Sequence, residues 1–105
     1  MIGLIKKMLG IGPEVNYAEL VKRGALVLDV RSGSEYASGH IKGSRNISVD
    51  QLSAQLKKLP SKETPIITCC ASGMRSAAAK SLLKASGYKE VYNGGAWHAL
   101  QAKLR

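Results

Sequence analysis

Both cysteines of the chain lie in one stretch, Ile66-Ile67-Thr68-Cys69-Cys70-Ala71-Ser72-Gly73-Met74-Arg75-Ser76-Ala77-Ala78-Ala79. A thiol followed by small residues, an arginine and a serine is suited to nucleophilic attack by a thiolate on a soft or anionic centre. The β-branched run before the cysteines reads as a strand, and the alanine run after them reads as a helix. A strand, a tight loop and a helix N-terminus aim backbone N–H groups and the positive end of the helix dipole at the first loop residue. Arg75 adds a full charge. The pattern predicts a cysteine ionised below its free value of about 8.5, with an anion cradle above it. Cys70 is the expected nucleophile, with Ala71, Ser72, Gly73, Met74 and Ser76 forming the substrate cradle and Arg75 acting on the anion. Cys69 is read as a small buried hydrophobe, the usual fate of a cysteine.

The elements that must position this loop follow from the rest of the chain. Its 105 residues are enough for one domain with a core of Leu, Ile, Val and Ala, because there is no Phe. Adjacent cysteines cannot reach ordinary disulfide geometry without strain. They also lack zinc-site spacing, and the two histidines lie far apart in sequence, so no metal and no cofactor are expected. Free thiols suit a reducing compartment, and the cytoplasm is the expected location. The formal charge of +9 comes from 16 basic and 7 acidic residues spread along the chain. Without an arginine-rich run interleaved with aromatics, nucleic acid is not an expected partner. Steering of small anions fits the distribution better.

Residues 1–13 read as a short amphipathic segment and linker, with Ile2, Ile5 and Leu9 on one face and Lys6 and Lys7 on the other. The default is packing on the domain; the sharper alternative is contact of Met1 to Gly10 with an anionic membrane surface. The apolar run is too short for a signal peptide and nothing later approaches a membrane span. Residues 14–105 are read as the domain. Asn16 with Glu19, Ser32 with Glu35, and Ser48 with Gln51 are three candidate capping boxes. They open helices before Leu26 to Val30, after it, and over Leu52, Leu56 and Leu59. Ala25 to Val30 is a near-continuous apolar run, as in a strand buried on both faces of a parallel sheet. Short strands are expected around Asn46-Ile47 and over Val91 to Asn93. A helix is expected over Ala77 to Lys84, with Ala78, Leu82 and either Ala85 or Leu83 toward the sheet, and a last helix follows Gly94-Gly95. Strands alternating with helices predict a three-layer α/β/α domain with a mainly parallel sheet of about five strands. Ligands of such sheets bind at the carboxyl ends of strands, where the Cys70 loop falls.

Three motifs in order now resemble a known family. Leu28-Asp29-Val30-Arg31 with Glu35-Tyr36, Gly39-His40-Ile41-Lys42-Gly43 and Asn46-Ile47 resemble the amino-terminal signature of rhodanese domains. Cys70-Ala71-Ser72-Gly73-Met74-Arg75-Ser76 resembles their active-site loop, and Asn93-Gly94-Gly95 their carboxyl-terminal marker. The resemblance spans roughly Asn16 to Leu104. Two positions depart from the usual pattern: an aromatic residue is common where this chain has Cys69, and tryptophan usually lies further past the glycine pair than Trp97. The resemblance implies a thiosulfate sulfurtransferase in which Cys70 takes a sulfane sulfur as a persulfide and passes it on. The donor would be a small sulfur anion such as thiosulfate, and the acceptor cyanide, a thiol or a protein.

Two other readings compete. Counted from Cys69, the stretch is Cys-x5-Arg, the phosphate loop of cysteine phosphatases and some arsenate reductases. Counted from Cys70 it is Cys-x4-Arg, a tighter loop that suits a sulfane sulfur. The third reading is a non-catalytic persulfide carrier or regulatory module. Among the other polar residues, Asp29 and Arg31 are expected to tie neighbouring loops together. Glu35 is expected at its helix N-terminus, His40 as a structural hydrogen-bonder, Trp97 in packing and His98 at the surface.

Overall fold

The computed structural model describes residues 14–105. The reading of residues 1–13 as an amphipathic segment lies outside them. Helix α1 (Tyr17–Lys22) starts where the Asn16 side chain accepts the Glu19 N–H at 3.0 Å. It stops where Gly24 takes φ of 101°, a left-handed conformation that favours glycine. Strand β1 (Leu26–Asp29) follows, then helix α2 (Gly33–Ala37), whose Ser32–Glu35 capping box is complete. Strand β2 is only Arg45–Asn46.

Residues Val49–Lys58 form a 3-10 helix broken at Gln55, not the expected α-helix. The Ser48 side chain makes no capping bond. The spacing explains the tighter turn. Residues three apart eclipse in a 3-10 helix, so Val49 aligns with Leu52, which is fully buried. Leu56 packs partly on the same core, and Leu59 reaches it from extended backbone just past the helix end.

Strand β3 (Ile66–Cys70) is buried along its whole length. Helix α3 (Met74–Ala85) begins three residues before the expected Ala77, directly behind Gly73. Its buried face carries Ser76, Ala79 and Leu83, whereas Ala78 is exposed and Leu82 only partly buried. Of the expected residues Leu83 therefore faces the sheet, Leu82 lies at the edge of the stripe, and Ala78 and Ala85 face out, because the inner stripe at i, i+3 and i+7 is centred on Ser76, Ala79 and Leu83. Strand β4 (Val91–Ala96) runs through Gly94-Gly95 instead of ending at Asn93, and helix α4 (Trp97–Lys103) closes the chain.

The described residues form one sheet of four strands in the order β2-β1-β3-β4, all parallel, against the expected five or so. Alternation along the strands divides the core in two. Leu28, Val30, Ile66 and Cys70 face α3 and the 3-10 helix, packing with Leu52, Ala79 and Leu83. Val27, Ile67 and Cys69 face the other way, with Leu20 of α1, Leu100 of α4 and Ile41. The sheet is thus covered on both sides, and the two cysteines lie on opposite faces of it.

Candidate active site

Cys70 ends β3 and begins the loop to α3. Gly73 takes φ of 102° at the helix N-cap, a conformation open to glycine at little cost. That turn aims the Gly73 N–H at the Cys70 Sγ at 3.0 Å, and the Ser76 N–H meets the same atom at 3.3 Å. The Ser76 Oγ lies 3.4 Å from the sulfur. Burial alone would push the Cys70 thiol up. Hydrogen bonding with the Ser76 side chain, and from the Ser76, Gly73 and Ser72 amides, outweighs it and holds the thiol below its ordinary value. The sulfur therefore ionises more readily than a free thiol, as a nucleophile must. Cys70 has no accessible surface, while Ala71, Ser72 and Met74 are exposed above it.

Cys69 presents the opposite electrostatics. It is fully enclosed on the other face of the sheet, and burial, with the Asp29 carboxylate adding to it, pushes its thiol up to about 12. A thiol so held is neutral and inert. The Cys-x5-Arg count therefore begins at a residue outside the loop.

The structure places the sequence-predicted residues unequally. Gly73 and Ser76 touch the sulfur, and Ser72 turns an amide toward it. Met74 points away, with 81% of its surface exposed. Arg75 reaches back to α2, where its Nη1 and Nη2 donate to the two Glu35 carboxylate oxygens at 2.7 and 3.0 Å. Glu35 thus serves the α2 N-terminus and Arg75 together, where only the first role was expected. The Arg75 guanidinium, followed by the Ser32 cap, holds the Glu35 carboxyl down at about 2. The Arg75 charge stays within electrostatic reach of Cys70, but the pair presents a neutralised rim.

Polar contacts tie the end of β1 to the segments that follow it. Asp29 and Arg31 form a buried ion pair at 2.7 Å, and Arg31 also donates to the Gly39 carbonyl and stacks on Trp97. Asn46 donates to the Asp29 and Arg31 carbonyls. These groups tie loops together, as expected of Asp29 and Arg31. His40 hydrogen-bonds Tyr36 through Nδ1 and stacks on its ring, also in a structural role. Sequence reasoning missed Asn93 as part of this site. Its Oδ1 accepts from Ser76 Oγ at 2.6 Å and its Nδ2 donates to the Gly73 carbonyl. The signal was present in the Asn93-Gly94-Gly95 motif, but the contact needs β4 beside β3.

Comparison with known proteins agrees with this geometry. Residues 14–102 match the model of the rhodanese-like domain. A stretch of 71 residues, 68% of the chain, is 35% identical to the uncharacterized protein YqhL of Bacillus subtilis and spans only 56% of that protein. The thiosulfate sulfurtransferase GlpE of Haemophilus influenzae is 31% identical over 75 residues, covering 71% of this chain and 70% of the relative. Among solved structures, the human single-domain sulfurtransferase TSTD1 superposes with a TM-score of 0.71 at 30% identity, covering 83% of this chain and 90% of that one. The chain belongs to the rhodanese-like family, within the sulfurtransferases.

Proposed function

We propose that the protein is a thiosulfate sulfurtransferase working through a persulfide on Cys70. The observation that carries this reading is the convergence of the Gly73 and Ser76 amides on one sulfur at the end of β3. The Cys70 thiolate attacks the sulfane sulfur of thiosulfate, the S–S bond of the donor breaks, and sulfite leaves with the electron pair. The amides that held the thiolate then stabilise the persulfide anion. Cyanide or a thiol attacks the outer sulfur, and the Cys70 thiolate is released with its electron pair. No general base is needed, since the nucleophile is already ionised and sulfite is a stable leaving group. A dianionic donor meets Arg75 in competition with Glu35. The two unpaired thiols suit a reducing compartment such as the cytoplasm.

Mass spectrometry of the intact protein after thiosulfate treatment tests the reading. One added sulfur atom located to Cys70 supports it. Protein that stays unmodified, or sulfur located on Cys69, overturns it.

A further inference from the structure

The carboxyl-terminal motif residue Asn93 has no part in the chemistry described so far, yet it reaches the loop with both ends of its amide. Its Oδ1 accepts from Ser76 Oγ at 2.6 Å and from the Gly95 N–H at 2.9 Å. Its Nδ2 donates to the Gly73 carbonyl at 3.2 Å. Ser76 Oγ lies a further 3.1 Å from that same Gly73 carbonyl. Gly73 and Ser76 are the two residues whose backbone N–H groups point at the Cys70 sulfur. We infer that Asn93 is a positioning residue of the sulfur site, clamping Gly73 and Ser76 so that their amides stay aimed at Cys70.

The clamp rests on β4, which carries no charge at this point. Its place is set by the regular β3–β4 register, which pairs Asn93 with Thr68, two residues before Cys70 on the same face of the sheet. The register shift comes only after Asn93, where Cys70 pairs with Ala96. Thr68 Oγ1, donating to the Ser76 carbonyl at 2.9 Å, holds that turn from below. Without Asn93, Gly73 would keep its left-handed turn but lose the side chain holding its carbonyl, and Ser76 would lose its shortest hydrogen bond. Both N–H groups would then sample directions away from the sulfur, and a thiolate is stabilised only by donors held toward it.

The charged groups around Cys70 set a background that the clamp does not touch. On α3 and α2 these are Arg75 and Glu35, paired with each other. On β1 and the turn after it they are Asp29 and Arg31, also paired. Cys69 lies across β3, its thiol pushed up, and the 3-10 helix presents apolar Leu52 to this face, with Asp50 exposed. A change at Asn93 therefore acts on Cys70 through hydrogen-bond geometry, with no charge added or removed.

The inference deepens the proposed sulfur chemistry, but its test does not depend on turnover. The rate of Cys70 alkylation by iodoacetamide, followed against pH by peptide mass spectrometry in the full chain, reports the thiolate directly. Asn93→Ala should move the midpoint of this profile upward and slow alkylation at pH 7 by roughly tenfold, the effect of one pH unit. Ser76→Ala should move it the same way by less, because the Ser76 amide remains. If Asn93→Ala does not fold by circular dichroism, Asn93→Ser, which also lacks the Nδ2 arm to Gly73, should move the midpoint upward in its place. In the Ser76→Ala background, Asn93→Ala should shift the profile less than in the wild type, since one arm of the clamp is already gone. An unchanged or lowered midpoint, or equal shifts in the two backgrounds, would overturn the role. If wild-type protein takes up no sulfur from thiosulfate while these shifts appear, the proposed activity fails and the clamp stands.

Discussion

Two neighbouring thiols with opposite environments are the main lesson at the scale of single residues. Cys70 is held by amides that favour its anion, and Cys69 by burial that forbids one. Cys70→Ser should abolish thiosulfate-to-cyanide transfer, because a serine hydroxyl is not ionised at neutral pH. Cys69→Ser should keep most activity and lose about 1–3 kcal/mol of stability in urea unfolding, the cost of an ill-satisfied buried hydroxyl. Neither variant nor the wild type should hydrolyse p-nitrophenyl phosphate; phosphatase activity that depends on Cys69 would sink the sulfurtransferase assignment. Cys69 also carries a pH signature. In the unfolded chain its thiol ionises near 9.0, while the fold holds it neutral up to about 12. The unfolded state loses its proton first, so stability present below pH 9 falls as pH rises toward 12. Chemical denaturation across that range should show this loss in the wild type and a smaller one in Cys69→Ser.

At the scale of elements, the site depends on contacts between parts distant in sequence. The Arg75–Glu35 pair bridges α3 and α2 across the mouth, and both side chains are more than a third exposed. Arg75→Ala should raise the KM for thiosulfate by roughly tenfold, the low end of what one charge-assisted hydrogen bond to an anion is worth, because Glu35 competes for the guanidinium. An unchanged KM would show that Glu35 keeps the guanidinium away from the donor. The close approach of β4 to its neighbours makes a second test. A Cβ at Gly94 would lie 2.9 Å from Leu100 Cδ2 and 3.0 Å from both Ile67 Cγ2 and the Thr68 carbonyl oxygen. Gly94→Ala should therefore cost about 1–3 kcal/mol of overpacking. Thermal unfolding measures it, and a melting temperature equal to wild type would contradict this packing.

At the scale of the whole molecule, the parallel sheet places the reactive end of β3 at its carboxyl edge, with a helix N-terminus over it. Among the described residues no helix is long and apolar enough to cross a membrane. The chain carries 16 basic against 7 acidic residues, an excess that attracts small anions to the molecule as a whole. Raising ionic strength from about 0.01 to 0.15 M shortens the screening length from roughly 30 to 8 Å. The kcat/KM for thiosulfate should therefore fall over that range by a few-fold, while kcat stays constant. A kcat/KM indifferent to salt would show that the field plays no part in donor capture.

Local chemistry was legible in the sequence wherever it depends on neighbours along the chain. The buried run from Leu26 to Asp29, the complete Ser32–Glu35 box, the glycine stop at Gly24 and the strand–loop–helix around Cys70 all follow from residues within a few positions of each other. The alternation of side chains along β3 also made it certain that only one cysteine could face the loop. Which way α3 turns its inner stripe, and why Val49 to Lys58 winds as a 3-10 helix, depended on what each had to pack against. The partners of the loop were decided only in three dimensions. Arg75 meets Glu35 forty residues away, and Ser76 meets Asn93 seventeen away. Such hydrogen bonds are short-ranged, and only the folded sheet brings those residues within 3 Å of each other.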